Sequence, residues 1–362
     1  MKLVQIITSL STGGAENLVV ESSLKYEERG IKLDIVSLKN SDTPFSKKLR
    51  NSFRGNVIGL TKGNVYNPFL IFKLIFILKE YQIAHVHLFP TLYWVVLAKW
   101  LSFSSTKIIY TEHSTNNRRR ESTLFKYIDR FIYRGVDKIV TISDEVDKNL
   151  KFHLNFNNDY FTLINNGINL EKFQNSGAYN KSEFFENDDI FLLIQVSSFR
   201  YPKDQVTLIK ALKSLPEKYK LLLVGDGILR DESECLVNKI GLNQRVKFLG
   251  LRTDIPELLN TVDLIILSSN YEGLSLSSIE GMACKPFIAS NVPGLREIVE
   301  GAGLLFERGN SKELATHILN LSFDPIYYNK IAEECKQRAS EFDINTMVDQ
   351  HIKVYKKVLN EN

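Results

Sequence analysis

Cysteine and long apolar runs are both scarce in this sequence of 362 residues. The three cysteines, Cys235, Cys284 and Cys335, have no metal-ligand spacing and are typical of free thiols in a reducing compartment. The most apolar stretch, residues 68–78, is interrupted by Lys73 and is too short to span a bilayer. The chain also opens without a signal-peptide pattern. These absences predict a cytoplasmic protein.

Phosphate-loop signatures and repeats are missing as well. The sequence contains neither G-x-G-x-x-G nor a Walker loop, which disfavours nicotinamide and ATP binding. It has no repeat of solenoid period and no low-complexity tract. A hydrophobic content of 44% and a charged content of 24% are typical of a soluble globular protein, and the length suits two domains.

The net charge of +4 is unevenly distributed along the chain. Residues 1–180 contain 24 Lys and Arg against 16 Asp and Glu, whereas residues 181–362 contain 22 against 26. The first half is therefore expected to prefer an anionic partner. That partner could be a membrane surface, a substrate that carries phosphate, or nucleic acid.

Short β-rich runs alternate with amphipathic helical stretches along the whole chain. This order predicts an α/β fold with parallel, doubly wound sheets and helices on both faces. The predicted strands of a first set are 3–7, 33–38, 84–89, 107–110, 138–142 and 161–164. Those of a second set are 191–196, 220–224, 246–249, 264–267 and 286–289.

A polar stretch between the two sets, residues 174–189, is the predicted linker. We therefore expect a Rossmann-like domain over 1–180, a second one over 181–342, and a final helix over 343–362 that crosses back to the first domain. The two domains are expected to face each other across a cleft. Ligands of such sheets bind beyond the carboxyl ends of the strands, so chemistry is expected in the turns that follow strands.

The segment 269–290 is the most informative of these turns. Glu272 and Glu280 bracket a Gly/Ser-rich turn between an apolar strand and a helix. Ionised carboxylates accept hydrogen bonds from sugar and ribose hydroxyls, and a helix N-terminus favours a phosphate. The same residues also fit a capping box of Ser277 with Glu280, which requires no ligand. Both interpretations remain open at this point.

Other turns after predicted strands carry candidate binding residues. Gly13 and Gly14 allow a close approach to a ligand, His113 can donate to a phosphate or sugar oxygen, and Arg200 with Lys203 suits a diphosphate. Each also fits an ordinary turn. His85 and His87 share one face of a strand, which is more typical of structural or site-lining residues than of a metal site.

A basic stripe follows the fourth strand of the first set, residues 107–110. Arg118, Arg119 and Arg120 precede a helix on which Lys126, Arg130 and Arg134 recur every four residues, and the nearby aromatic residues are Phe125, Phe131 and Tyr133. A stripe of this kind favours either an anionic bilayer or a simple solvated face. The apolar segment 68–78 adds weight to the first alternative.

Taken together, the motifs resemble those of family 4 glycosyltransferases, which have the GT-B fold. The matching segments are 13–16, 135–143, 166–169, 254–259, 262–264, the Glu272…Glu280 pair and 293–299. Two departures occur. The family's basic residue before the lysine aligns with Ser198, whereas the arginine here is Arg200, and the turn after the signature helix is one residue shorter.

The resemblance implies a retaining hexosyltransferase that uses a nucleotide diphosphate sugar and needs no bound metal or other cofactor. It places Glu272 and His113 at the reacting centre and assigns Lys203 to the diphosphate. The other donor-binding residues that it implies are Gly13, Gly14, Arg200, Gly273, Leu274, Ser275 and Glu280. The sequence contains no Asp-x-Asp motif, in agreement with a metal-free site.

The expected acceptor is a lipid-linked glycan or a polysaccharide at the inner membrane face. One alternative is a nucleotide-sugar epimerase on the same fold, which would form its product without an acceptor. A second alternative is a non-catalytic module that binds nucleic acid, although the basic residues form no recognised nucleic-acid motif. The donor sugar and its base stay open.

Overall fold

The computed structural model describes residues 1–11, 13–40, 42–114, 120, 122–186 and 189–360. The chain divides into two compact units. The first unit contains Met1–Gly167 together with Ile344–Asn362, and the second contains Ile168–Asp343.

The first unit is built on a parallel sheet of seven strands in the order β3-β2-β1-β4-β5-β6-β7. Its strands are β1 (Lys2–Ile7), β2 (Lys32–Lys39), β3 (Val57–Thr61), β4 (Ile83–His87), β5 (Lys107–Glu112), β6 (Lys138–Thr141) and β7 (Phe161–Leu163). The central strands are almost fully buried, as expected for a parallel sheet with both faces covered.

In the part of the first unit that the structure describes, six α-helices connect these strands. They are α1 (Gly14–Glu28), α2 (Pro44–Ser52), α3 (Leu70–Leu78), α4 (Thr91–Ser102), α5 (Thr123–Tyr133) and α6 (Asp144–Leu154). Alternate residues of β1 belong to two different apolar clusters, Leu3 and Ile7 to one, Val4 and Ile6 to the other. Because side chains alternate along a strand, these clusters cover opposite faces of the sheet. Helices α1 and α2 cover one face and α3–α6 cover the other.

The second unit has a parallel sheet of six strands in the order β10-β9-β8-β11-β12-β13. Its strands are β8 (Phe191–Val196), β9 (Tyr219–Val224), β10 (Val246–Gly250), β11 (Leu264–Leu267), β12 (Phe287–Ser290) and β13 (Leu304–Phe306). Its helices are α7 (Leu170–Gln174), α8 (Gln205–Lys213), α9 (Arg230–Lys239), α10 (Ile255–Thr261), α11 (Leu276–Met282), α12 (Arg296–Val299), α13 (Ser311–Phe323) and α14 (Pro325–Ser340).

The last helix, α15 (Ile344–Asn360), belongs to the first unit and packs against α1. The buried Tyr26 hydroxyl of α1 lies 2.7 Å from His351 Nδ1 and 2.9 Å from the Tyr355 hydroxyl. Arg29 at the end of α1 donates to Asp349 at 2.5 Å. These contacts join two segments that lie more than three hundred residues apart in the sequence.

The predicted α/β class with two parallel sheets is confirmed. The prediction omitted the edge strands β3 and β13, which are short and only partly buried. The predicted strand 84–89 ends earlier, at His87, because Leu88 has a φ of +64° that no strand residue adopts.

The division between the units falls at Gly167, whereas the sequence pattern placed a boundary at residue 180. Ile168, Leu170 and Phe173 are buried in the core of the second unit, so residues before the polar linker already belong to it. Phe184, within the linker, is buried in the same core. Within the described residues, no helix is both long and apolar enough to cross a membrane.

Candidate functional site

In the second unit, the turns after β8 and β11 are joined by backbone contacts. Asp204 N–H donates to Ser268 O at 3.1 Å, and Asn270 N–H donates to Pro202 O at 2.7 Å. The buried Gln195 side chain accepts from Ser268 N–H at 3.2 Å and donates to Ser268 O at 3.3 Å. Strands β8 and β11 are neighbours in the sheet, so their carboxyl ends bring these turns together.

Lys203 and Glu272 form an ion pair where the two turns meet. Lys203 Nζ contacts Glu272 Oε1, which also accepts from Ser269 Oγ at 2.6 Å. Only 14% of the Lys203 side chain and 11% of the Glu272 side chain are exposed. Two largely buried, paired charges therefore lie at the carboxyl end of the sheet, the edge at which parallel sheets bind ligands.

The turn after β12 supports Glu272 from the other side. Glu272 N–H donates to Pro293 O at 3.3 Å. Gly294 has a φ of +81°, and a Cβ at this position would lie 2.2 Å from Gly273 O and 2.3 Å from Glu272 O. Only glycine allows this close approach.

The turn after β9 packs against the turn that contains Arg200. Gly225 and Gly227 have φ values of +129° and +153°, and a Cβ on either would come within 2.4 Å of the carbonyl oxygen of Ser197 or Phe199. The Arg200 carbonyl accepts from Lys203 N–H at 2.7 Å, while the Arg200 side chain is exposed. Arg200 thus shares a turn with Lys203 and has a side chain that is open to solvent.

The capping box predicted from Ser277 and Glu280 is wrong. Helix α11 begins at Leu276 after the N-cap Ser275, whose side chain makes no capping bond, so Ser277 lies inside the helix. Ser277 Oγ lies 3.1 Å from Ser275 Oγ instead.

Glu280 is half-buried on α11. The pKa of the nearby Cys284 thiol is raised to about 12, mainly by burial and to a smaller extent by the negative charge of Glu280. Leu274 packs on the apolar core of the second unit.

In the first unit, the predicted glycine turn precedes α1. Gly13 is the N-cap and Gly14 is the first helical residue. As a glycine, Gly13 has no side chain that could cap the helix. A Cβ on Gly13 would lie 2.2 Å from Glu16 Oε2, so the Glu16 carboxylate lies over this turn. Burial raises the pKa of Glu16 above its ordinary value of 4.5. A carboxylate therefore already lies at the helix end where a phosphate was expected.

His113 follows β5 and contacts His87 at the end of β4, with 3.1 Å between His87 Nδ1 and His113 Nε2. Burial lowers the pKa of His113 to about 4 and, together with neighbouring histidines, lowers that of His87 well below 6.5. Both rings are thus neutral at neutral pH. His87 Nε2 is buried without a hydrogen-bond partner in the described part of the chain.

Two further histidines, both buried, complete a cluster with the buried His87 and the half-buried His113. His85 Nδ1 lies 2.7 Å from the Tyr355 hydroxyl and His85 Nε2 lies 2.7 Å from Thr111 Oγ1. The His351 ring from α15 lies 5.2 Å from the His85 ring. Both His85 nitrogens are occupied, in agreement with a structural role. The sequence pattern gave no signal for His351, which joins the cluster only through the packing of α15.

Arg120, expected to belong to an outward basic stripe, is instead buried against Glu112. Arg120 Nη2 donates to Glu112 Oε2 at 2.5 Å, and about a tenth of the Arg120 side chain is exposed. The buried Glu112 carboxylate at the end of β5 requires a cation, which explains why Arg120 points inward and not to solvent. Arg118 and Arg119 lie outside the described residues.

The predicted site residues thus fall into two groups. The second unit brings Lys203 and Glu272 into direct contact, and it also carries the remaining donor-site candidates Arg200, Gly273, Leu274, Ser275 and Glu280. The first unit carries Gly13, Gly14 and His113.

Both halves of the chain match sequence models of known families. The model described as Glycosyltransferase Family 4 matches residues 12–172, and the model described as Glycosyl transferases group 1 matches residues 179–340. The two matches lie side by side and together span most of the chain.

Individual relatives agree with these matches. The N-acetyl-alpha-D-glucosaminyl L-malate synthase of Bacillus anthracis is 28% identical over 78% of this chain and 76% of its own. The N,N'-diacetylbacillosaminyl-diphospho-undecaprenol alpha-1,3-N-acetylgalactosaminyltransferase of Campylobacter jejuni is 30% identical over 53% of each chain.

Among solved structures, Anabaena HepE in complex with UDP-glucose superposes with a TM-score of 0.85 at 24% identity, covering 99% of this chain and 100% of its own. This likeness shows a shared fold. From the two adjoining family matches and the two parallel sheets, we conclude that the chain belongs to the family 4-type glycosyltransferases of GT-B fold.

Proposed function

We propose that this glycosyltransferase is a retaining hexosyltransferase that moves a sugar from a nucleotide diphosphate sugar to a lipid-linked or polysaccharide acceptor. The observation that carries the proposal is the Lys203–Glu272 pair at the carboxyl ends of β8 and β11. A buried cation suits a leaving diphosphate, and a carboxylate beside it suits the hydroxyls of the transferred sugar.

The proposed reaction breaks the bond between the anomeric carbon and the diphosphate oxygen. The acceptor hydroxyl forms the new bond on the same face of the sugar, and its proton passes to the leaving phosphate. Lys203 would stabilise the charge that develops on that phosphate, while Glu272 would orient the sugar. Glu280 would accept hydrogen bonds from the ribose hydroxyls.

Two relatives support the choice of substrates. HepE was crystallised with UDP-glucose, and the Campylobacter enzyme is named for a diphospho-undecaprenol acceptor. A UDP-sugar is therefore the first donor to test, and a polyprenyl diphosphate glycan the first acceptor. Since the acceptor chemistry would then take place at a membrane, we propose a cytoplasmic protein that acts at the inner membrane face.

The proposed site needs no bound metal, because the Lys203 ammonium and backbone N–H groups near Gly273–Ser275 would neutralise the diphosphate. Transfer should then persist in EDTA. Loss of transfer in EDTA that Mg²⁺ restores would contradict this part of the proposal. His113, Gly13 and Gly14 remain proposed substrate-binding residues of the first unit.

Alanine variants of the ion pair test the site directly. Lys203→Ala is expected to abolish the rise in melting temperature that UDP produces, because the diphosphate loses its cation. Glu272→Ala is expected to keep part of that rise but to lower sugar transfer by at least about a hundredfold, a loss typical of a removed transition-state contact. Differential scanning fluorimetry and a radiolabelled-sugar transfer assay measure the two effects.

Matched controls are available on the surface of the same unit. Lys213 and Glu300 are exposed, so Lys213→Ala and Glu300→Ala should leave both measurements unchanged. Full transfer by Lys203→Ala and Glu272→Ala would show that the site is elsewhere. NMR of the product reports the anomeric configuration, and an inverted product would reject the retaining mechanism while leaving transfer intact.

A further inference from the structure

Two imidazole rings at the carboxyl end of the first sheet are joined by one hydrogen bond. His87 is the last residue of β4, and His113 comes directly after β5, the neighbouring strand. His87 pairs in register with Thr111, two residues before His113. Because side chains alternate along a strand, both imidazoles lie on one face of the sheet, the face that α1 and α15 cover.

The His87 ring is held between two other rings. It is 3% exposed, and its centroid lies 4.2 Å from that of His85 and 5.4 Å from that of His113. His87 Nδ1 lies 3.1 Å from His113 Nε2, whereas His87 Nε2 is buried and has no hydrogen-bond partner among the described residues. The reaction proposed above gives His87 no role, although its ring contacts a proposed substrate-binding residue.

The single bond between the two rings couples the positions of their protons. Burial lowers the pKa of both imidazoles far enough that they are neutral at neutral pH, so each ring has one N–H and one bare nitrogen. If His87 Nδ1 donates, His87 Nε2 is bare and His113 carries its proton on Nδ1. If His113 Nε2 donates, His87 carries its proton on Nε2 and His113 Nδ1 is bare.

The unpartnered His87 Nε2 favours the first of these arrangements. In the second arrangement it would be a buried N–H without an acceptor, which is rarer in proteins than a buried acceptor without a donor. In the first arrangement the remaining N–H is on His113 Nδ1. Within the described part of the chain this nitrogen has no partner, and it belongs to a half-buried ring and is not itself fully buried. The first arrangement therefore leaves the N–H where a ligand can accept from it.

We propose that His87 is a positioning residue that holds His113 in the Nδ1–H tautomer, so that His113 is a neutral hydrogen-bond donor to an oxygen of the transferred sugar. The identity of this ligand rests on the function proposed above, whereas the tautomer is a property of the chain alone. A neutral N–H suits an uncharged sugar oxygen, since the charged diphosphate is assigned to Lys203. A sugar hydroxyl both donates and accepts, so a fixed tautomer of His113 also fixes the direction of that bond.

Nuclear magnetic resonance of the unchanged chain tests the tautomers directly. Long-range correlations between hydrogen and nitrogen in protein labelled with ¹⁵N-histidine show which nitrogen of each ring carries the proton. Spectra of His87→Gln and His113→Gln assign the two rings, since each variant lacks one of them. At pH 7.5 and without any ligand, we expect a protonated Nδ1 and a bare Nε2 on both rings. A His113 ring that is protonated on Nε2, or on both nitrogens, would overturn the proposal.

His87→Gln and Thr111→Val separate the hydrogen bond from the packing of the cluster. The glutamine amide extends toward the position of the imidazole Nε2, so His113 Nε2 loses its donor and should be protonated in a large fraction of molecules. Thr111→Val keeps the shape of its side chain but removes the 2.7 Å contact with His85 Nε2, and His113 should keep its tautomer. Equal changes in the two variants, or none in His87→Gln, would show that the bond from His87 does not set the tautomer.

Sugar transfer provides a second measurement. His87→Gln is expected to lower kcat about three- to tenfold, a loss typical of one neutral hydrogen bond, and to leave the UDP-induced rise in melting temperature unchanged, because UDP carries no transferred sugar. A purely structural role would lower the melting temperature of the free chain without changing the tautomer of His113. Full kcat in a His87→Gln chain with the altered tautomer would contradict the role in transfer.

Failure of the proposed function itself would look different. The unchanged chain would then show the expected tautomers, but it would transfer no sugar from any nucleotide sugar. Conversely, normal transfer by a chain whose His113 is protonated on Nε2 would reject the role of His87 and leave the proposed function intact.

Discussion

At Gly294, one hydrogen atom in place of a methyl group allows the turn after β12 to approach Glu272. The φ of +81° is unfavourable for any other residue, and a Cβ would overlap Gly273 O at 2.2 Å. The position of the Glu272 backbone thus depends on a residue that carries no chemistry itself. This close packing gives a physical reason for the glycine in the motif at residues 293–299.

Gly294→Ala is expected to lower the free energy of unfolding by about 2 kcal/mol or more and to weaken UDP binding, because strain and overlap both displace the Glu272 turn. Urea denaturation and the UDP-induced shift in melting temperature measure these effects. Gly309 is the matched control, since its φ is +79° but a Cβ there would meet nothing within 4 Å. Equal losses in both variants would mean that backbone strain alone, without the overlap, accounts for the effect.

At the scale of single elements, α15 completes the first unit through buried polar contacts. The Tyr355 hydroxyl lies between the Tyr26 hydroxyl, at 2.9 Å, and His85 Nδ1, at 2.7 Å. This links α15 to α1 and to β4 at once. Buried polar atoms of this kind are costly to leave without partners.

Tyr355→Phe should therefore lower the free energy of unfolding by about 1–3 kcal/mol, since Tyr26 and His85 lose a partner in a buried setting. Hydrogen exchange by mass spectrometry should show faster exchange in α1 and β4 and unchanged exchange in β8 and β11. Tyr160→Phe, at an exposed position, serves as the control. Uniformly faster exchange in both units would contradict a local role for this hydroxyl.

The elements also show what the sequence could predict. Apolar runs bounded by turn residues identified the central strands. Lys203 and Glu272 lie in the turns after two of these strands, and the turns are close together because β8 and β11 are adjacent. The short edge strands β3 and β13 lacked such a run. The Arg120–Glu112 pair and the place of His351 depend on tertiary contacts, for which no local pattern exists.

At the scale of the whole molecule, four of the six histidines lie in one cluster, where His85, His87 and His351 are buried and His113 is half-buried. Burial lowers the pKa of His113 to about 4 and that of His351 to about 3, and it lowers those of His85 and His87 well below 6.5. The unfolded chain therefore binds more protons than the folded chain below about pH 6.5. Stability must fall as the pH drops through that range.

We expect the free energy of unfolding to fall by several kcal/mol between pH 7.5 and pH 5, up to about 2 kcal/mol for each of the four histidines at pH 5. Urea denaturation across this range measures the fall and the number of protons taken up. His317→Gln, outside the cluster, should leave the slope unchanged. A flat profile down to pH 5 would show that the cluster can take up protons in the folded state.

The place of α15 in the chain has a consequence for biosynthesis. Ile168 and Asp343, the ends of the second unit, form a β-bridge, so that unit closes on itself as an insertion within the first. A ribosome that makes this protein releases the whole second unit before Tyr355 emerges. The sheet of the first unit must accordingly wait, with Tyr26 and His85 still lacking their partner, until the second unit and then α15 have emerged. The unit whose translation begins earlier is completed later.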